Sequence, residues 1–226
     1  MSFARLLKEL DELLYEIMAW LVFYPITLWK VIRRPAAMMD YAGIQLAQDK
    51  IDRYSDTLSP PIFLLVTMLL AHSLELAVVG ENPLVATTGG LADLISDNTS
   101  LIMFRMVAFS VFPVIMATLL VRRQRIGVNR KTLEAPFYAQ CYSAVPFALA
   151  ISLSATVTRL DWNDAWAVAV PIQASALLWY LVVQTGWFAR HLGVSRWRAL
   201  GDAIIGLVQC VVLLGALLVL LGGSGL

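Results

Sequence analysis

The stretch 59–79, SPPIFLLVTMLLAHSLELAVV, decides the class of fold. After its two prolines it stays apolar for about 20 residues, which is the length an α-helix needs to cross the hydrocarbon core of a bilayer. Ser59 is suited to cap such a helix, and the prolines are suited to its first turn, where a backbone N–H has no intrahelical partner. The stretch therefore predicts a membrane-spanning helix.

The rest of the chain repeats this pattern. The 226 residues are 59% hydrophobic and 15% charged, whereas soluble domains carry about 25% charged residues. We predict an all-α integral membrane protein with a five-span domain at 59–226. The expected spans cover about 59–80, 101–121, 135–157, 162–188 and 199–221.

Residues 1–58 precede the first span and are predicted to form a cytoplasmic amphipathic segment. Leucines recur every three or four residues in 1–34, with charged residues between them. The clean apolar run there, 17–28, is only about 12 residues long and contains Pro25, so it is too short to span. We expect an in-plane helix over 1–34, kinked at Pro25; a helix packed on the protein's own cytoplasmic side is the alternative. A second amphipathic helix is predicted over 36–55.

The basic residues set the orientation. Of the 17 Lys and Arg, all but Arg105 and Arg159 lie before the first span, in the join 122–134, or between 189 and 198. The joins between them, 81–100 and 158–161, are acidic or nearly free of basic residues. Because positively charged joins stay inside the cell, the N-terminus is predicted to be cytoplasmic and the C-terminus outside.

Three ionisable residues lie within the first two predicted spans. Glu75 and Arg105 fall at the same depth, roughly 6 to 8 Å below the outer boundary, on consecutive antiparallel helices. His72 lies three residues before Glu75 and so shares its helix face. Each charge alone would be costly in lipid, which predicts an intramembrane ion pair. The cluster is either a proton- or ion-responsive site or a pair that fixes helix packing.

Prolines and polar residues also occur near the middle of the spans. Each proline frees a backbone carbonyl that needs another donor. A polar layer around kinked helices is typical of a transport path, and it is equally consistent with hydrogen bonding between packed helices. The kinks are Pro113, Pro146 and Pro171, and the predicted polar layer is Ser110, Gln140, Tyr142, Ser143, Gln173 and Gln209.

No catalytic, cofactor-binding or metal-binding motif is found. The chain has no glycine-rich phosphate loop, zinc-ligand spacing or nucleophile elbow, and Cys141 and Cys210 sit alone in apolar runs. The cytoplasmic cations remain as candidate contacts to anionic lipid headgroups, and the positive-inside rule alone also explains them. They are Lys30, Arg33, Arg34, Arg122, Arg123, Arg125, Arg196 and Arg198.

Several stretches resemble the Ypt/Rab-interacting five-span membrane protein family, in the bacterial branch that is often labelled "permease". They are FYP at 23–25 leading to RP at 34–35, DTLSPP at 56–61, YSAVP at 142–146, and HLGVSR at 191–196 followed by RA at 198–199. The likeness covers about residues 20–221 and implies five clustered spans behind a cytoplasmic segment.

The eukaryotic branch of that family acts in Golgi and endoplasmic reticulum trafficking and binds lipid-modified small GTPases. This chain has Leu58, Ser59 and Pro60 where that branch has the Tyr-Gly of its Asp-Leu-Tyr-Gly-Pro motif. No GTPase contact is therefore carried over to these positions.

Three functions agree with these features. The favoured one is a non-enzymatic protein of the bacterial cytoplasmic (inner) membrane that organises membrane or recruits lipid and protein partners through its cytoplasmic face. The alternatives are a small permease or channel of unknown substrate, using His72, Glu75 and Arg105, and an accessory subunit of a larger membrane complex. The expected partners are anionic lipids and further membrane subunits, including copies of this chain, and not nucleic acid.

Overall fold

The computed structural model describes residues 3–48, 53–80, 98–160 and 162–222, and these residues are helical or in turns. The all-α prediction is confirmed for this part of the chain. Seven helices are described: α1 (Phe3–Arg33), α2 (Pro35–Leu46), α3 (Pro60–Val79), α4 (Asn98–Arg123), α5 (Arg130–Val157), α6 (Ala165–Leu192) and α7 (Arg196–Gly222).

Six of these helices are long and apolar enough to cross a membrane, which indicates an integral membrane protein. They include the five expected spans, α3 to α7, and also residues Lys8–Arg33 of α1. Pro25 and the short uninterrupted apolar run 17–28 predict that α1 lies on the membrane surface. In the structure α1 continues through Pro25 as one helix of 31 residues, so length does not exclude a crossing.

Helix α5 is the centre of the bundle. It packs against α1, α2, α3, α4 and α6, while α7 packs against α4 and α6. Its residues 139–145 are all buried. The join before it ends in a capping box in which Asn129 accepts from the Thr132 backbone N–H and the Thr132 side chain accepts from the Asn129 N–H.

The predicted helix over 36–55 is wrong at its C-terminal end, because α2 stops at Leu46. Two hydrogen bonds from residues that follow α2 hold its C-terminal end. The Arg53 guanidinium donates to the Leu46 carbonyl at 2.7 Å, and the Tyr54 N–H donates to Gln45 Oε1 at 2.7 Å. Tyr54 has a φ of 58°, which turns the chain back toward α3. Residues 49–52 of the expected helix lie outside the described residues.

Helices α7 and α4 approach each other closely at Gly206. A Cβ at Gly206 would lie 2.6 Å from the Sδ atom of Met116 and 3.3 Å from Leu119. Small residues let membrane helices approach closely, and Gly206 uses that freedom inside the protomer. Pro113, Pro146 and Pro171 lie within α4, α5 and α6, as their positions in the sequence required.

Candidate functional site

Glu75 is the centre of a charged cluster near the C-terminal end of α3. Its carboxylate forms ion pairs with the guanidinium groups of Arg105, from α4, and Arg159, from the turn after α5. The Nδ1 atom of His72 lies 3.4 Å from Arg105 Nη1, and His72 and Glu75 are each 2% exposed. The structure thus brings the three predicted residues together and adds a fourth.

This cluster joins three helices through one carboxylate. Moving a charged side chain from water into the interior of a membrane protein costs free energy, and pairing with an opposite charge offsets that cost. Glu75 therefore ties α3 to α4 and to the end of α5. The acidic residues predicted for the outer joins, Glu81, Asp93, Asp97 and Asp161, lie outside the described residues.

A second buried polar cluster lies between α5 and α6 and consists of Gln140, Ser143 and Gln184. The Gln184 Nε2 atom donates to Gln140 Oε1 at 2.5 Å and to Ser143 Oγ at 3.1 Å, and Gln140 Nε2 donates to Gln184 Oε1 at 3.0 Å. All three residues are fully buried. Because the two amides bind each other, this cluster acts as a bond between helices.

The other members of the predicted polar layer do not join this cluster. Gln173 and Gln209 are exposed on the outside of the bundle, and Ser110 donates to the Met106 carbonyl of its own helix at 2.6 Å. Tyr142 donates to the Leu58 carbonyl at 2.8 Å, which ties α5 to the segment before α3. The predicted residues therefore do not form one connected layer. Equal depth along helices does not place side chains on facing sides.

The cations predicted to be cytoplasmic divide into paired and unpaired groups. Arg123 forms an ion pair of 2.5 Å with Asp202, Arg190 one of 3.1 Å with Asp40, and Lys30 one of 2.7 Å with Asp56. Within the described part of the chain, the remaining predicted headgroup contacts have no carboxylate partner. These unpaired residues are Arg33, Arg34, Arg122, Arg125, Arg196 and Arg198.

Two of the unpaired arginines line a cavity of about 440 Å³ where α1 passes into α2. Volumes of this size are usual for small-ligand sites. The Arg33 guanidinium lies 4.5 Å from the centre of the Trp29 ring. The cavity is lined by Trp29, Lys30, Arg33, Arg34, Ala37, Met38, Tyr41, Asp56 and Thr57.

Asp56 holds one side of this cavity together. It accepts from Lys30 Nζ at 2.7 Å and from the Tyr41 hydroxyl at 2.5 Å. The Lys30 hydrogen bond, followed by that from Tyr41, lowers the pKa of the Asp56 carboxyl below its ordinary value. Burial, followed by the hydrogen bond to Asp56, raises the pKa of Tyr41 to about 12. At neutral pH Asp56 is thus ionised and Tyr41 is a proton donor.

Among the described residues, no group of three His, Cys, Asp or Glu side chains is arranged to hold a metal ion. Cys141 and Cys210 are free and buried. No protein-family model, curated protein or solved structure matches the chain. Its function therefore has to be argued from these sites.

Proposed function

We propose that this is a non-enzymatic membrane protein that organises membrane or recruits partners through its cytoplasmic face. In this proposal α3 to α7 are the five spans, α1 and α2 lie at the cytoplasmic surface, and the membrane is the bacterial inner membrane. The likeness to the Ypt/Rab-interacting five-span family supports the arrangement. Helix α1 carries the proposal.

The first half of α1 exposes apolar side chains that a helix in water would bury. Leu10, Leu14, Met18 and Leu21 are each at least 50% exposed. Only 11% of the apolar stretch within residues 8–33 of this helix is buried. Glu9 and Glu16 lie on a different side of the helix, so one side favours lipid and the other favours water. A helix of this kind is suited to lie in the interface.

The second half of α1 is attached to the bundle. Tyr24 packs on Phe63 with ring centres 5.3 Å apart, and the Leu58 N–H donates to Thr27 Oγ1 at 3.0 Å. These contacts fix the C-terminal end of α1 beside the start of α3. The N-terminal half keeps its apolar side chains exposed, which suits contact with lipid or a partner.

Cysteine labelling tests the placement of α1. Both native cysteines are buried, so cysteines introduced at exposed positions can be read separately. Glu9→Cys reports the start of α1 on its charged side, and Val128→Cys reports the join between α4 and α5. An in-plane α1 exposes both thiols to a membrane-impermeant reagent from the same side. If α1 is a sixth crossing, the two thiols react from opposite sides of the membrane, and the surface position of α1 is wrong.

Vesicle remodelling tests the function. The full chain is reconstituted into vesicles of phosphatidylethanolamine and phosphatidylglycerol, and vesicle shape is measured by electron cryomicroscopy. The variant Leu14→Gln/Leu21→Gln loses apolar contact worth about 2 kcal/mol per leucine, so it should leave vesicles spherical where the unchanged protein tubulates or clusters them. Glu16→Gln introduces the same side chain on the charged side and should act as the unchanged protein. Equal vesicle shapes for all three proteins would remove the proposal.

A permease is the second candidate, and the Glu75 cluster is the observation that favours it. A buried carboxylate with a neighbouring histidine suits proton-coupled transport. Glu75→Gln should abolish a pH-dependent flux in proteoliposomes if the cluster carries protons. If the folded variant loses such a flux, the permease replaces the organiser.

A further inference from the structure

The cavity between α1 and α2 has more positive than negative charge. Its lining carries Lys30, Arg33 and Arg34 against the single carboxylate of Asp56. Lys30 and Asp56 neutralise each other at 2.7 Å. Arg33 and Arg34 have no acidic partner among the described residues. Two guanidinium groups therefore border the cavity, and no carboxylate of the described residues balances them.

The remaining walls fit a ligand that is only partly charged. Trp29, Ala37 and Met38 supply apolar surface beside the arginines. The Thr57 hydroxyl donates to the Tyr41 oxygen at 3.3 Å, and Tyr41 in turn donates to Asp56. This chain of bonds holds one wall in place and leaves Arg33 and Arg34 as the donors not already in use.

The position of the cavity points to the membrane surface. Its last lining residue, Thr57, lies three residues before Pro60, where α3 begins. Trp29 is 59% exposed beside the cavity, and tryptophan is typical of the headgroup region. A ligand in the cavity would lie at the depth of lipid headgroups.

We propose that this cavity binds the phosphate group of an anionic ligand, with Arg33 and Arg34 as its donors and an anionic phospholipid as its source. The guanidinium fork matches the oxygen spacing of phosphate, and charged donors give stronger bonds than neutral ones. The inference rests on the proposed function only in placing α1 and α2 at the lipid surface.

The test compares charge removal inside and outside the cavity in the full chain. Native mass spectrometry in detergent measures binding of short-chain phosphatidylglycerol and phosphatidylcholine. Arg33→Gln/Arg34→Gln should weaken phosphatidylglycerol binding about tenfold or more. Arg130→Gln/Lys131→Gln removes the same charge from exposed residues at the start of α5 and should leave the affinity unchanged. Equal losses in both variants, or no preference for phosphatidylglycerol, would overturn the site.

A second variant keeps every existing contact. Ala37→Glu places a carboxylate on the cavity wall, and its position in the first turn of α2 favours an acidic residue. It should fold as the unchanged protein and still weaken phosphatidylglycerol binding. Unchanged binding in this variant would place the lipid elsewhere.

Inorganic phosphate separates the two sources of the ligand. In one outcome, millimolar phosphate displaces phosphatidylglycerol from the unchanged protein but not from Arg33→Gln/Arg34→Gln. This outcome would support a phosphate site and overturn the lipid as its source. Phosphatidylglycerol that resists displacement supports the lipid. The vesicle assay tests the proposed function separately. If the α1 variants and the unchanged protein give equal vesicle shapes while phosphatidylglycerol binding is intact, the proposed function is wrong and this site remains.

Discussion

Two carboxylates in this protein make similar bonds in different surroundings. Glu75 pairs with Arg105 and Arg159, and its side chain is 3% exposed. Asp56 binds Lys30 and Tyr41, and its side chain is 61% exposed. Each carboxylate joins segments that are distant in sequence. They differ in how much water remains around the charge.

Burial decides what each carboxylate contributes to the free energy of unfolding. An exposed pair contributes about 0 to 1 kcal/mol, because water and salt screen it and solvate either partner left alone. A buried pair gains little over apolar packing, but removing one partner leaves a charge without solvent. The Glu75 cluster is therefore the one that the bundle cannot lose, whereas the exposed Asp56 pair contributes little to its stability.

The largest effect is expected for Glu75→Gln. The amide cannot balance the two guanidinium groups, so the variant should lose about 3 kcal/mol or more of unfolding free energy. For a chain of this size that is a fall of roughly 10 °C in Tm, measured by thermal unfolding in detergent.

Glu134→Gln is the matched control, because Glu134 is an exposed glutamate at the start of α5. Its Tm should change by no more than about 2 °C, in line with surface substitutions in general. If Glu75→Gln behaved as this control does, burial would not separate the two carboxylates, and the comparison would fail.

An intermediate effect is expected for Gln184→Leu, which separates burial from charge. The change removes two donated bonds and leaves Gln140 Oε1 without its 2.5 Å donor. We expect a loss of about 1 to 2 kcal/mol, measured by the same unfolding. Gln140→Leu/Gln184→Leu should lose less than the sum of the single changes, because no amide is then left unpaired.

Gln173→Leu serves as the control for that series. Gln173 is exposed on the surface of α6, so an apolar replacement should leave the Tm unchanged or raise it slightly. A loss in Gln173→Leu equal to that in Gln184→Leu would mean that the outer face of α6 is packed against protein.

The sequence predicted the buried pair because spacing and depth together leave few arrangements. Glu75 and Arg105 lie at equal depth on consecutive antiparallel helices, and an unpaired charge is costly there. Arg159 was missed because counting residues places it in the join after α5. A long arginine side chain can reach back toward the bundle while its backbone lies outside the span, and residue counts do not include that reach.

The buried amides show a different limit. The sequence predicts that Gln140 lies in a polar layer with Gln173, which faces outward. The actual partner of Gln140 is Gln184. Depth along a helix follows from residue number, whereas the direction a side chain faces also depends on the rotation of each helix against its neighbours. That rotation is set by packing contacts such as Gly206 against Met116, which a single sequence does not contain.

The smallest effect is expected for Asp56→Asn, and its pH dependence sharpens the comparison. At neutral pH the change should cost less than about 1 kcal/mol, because the pair is exposed. The folded-state pKa of Asp56 is lowered, chiefly by Lys30. The contribution is therefore present above the ordinary carboxyl pKa of about 4 and is lost as pH falls through the lowered value. Thermal unfolding of both proteins from neutral to acid pH should show two curves that converge in that window. A difference that persisted below it would mean that Asp56 acts through its shape and not its charge, whereas Glu75 acts through its charge.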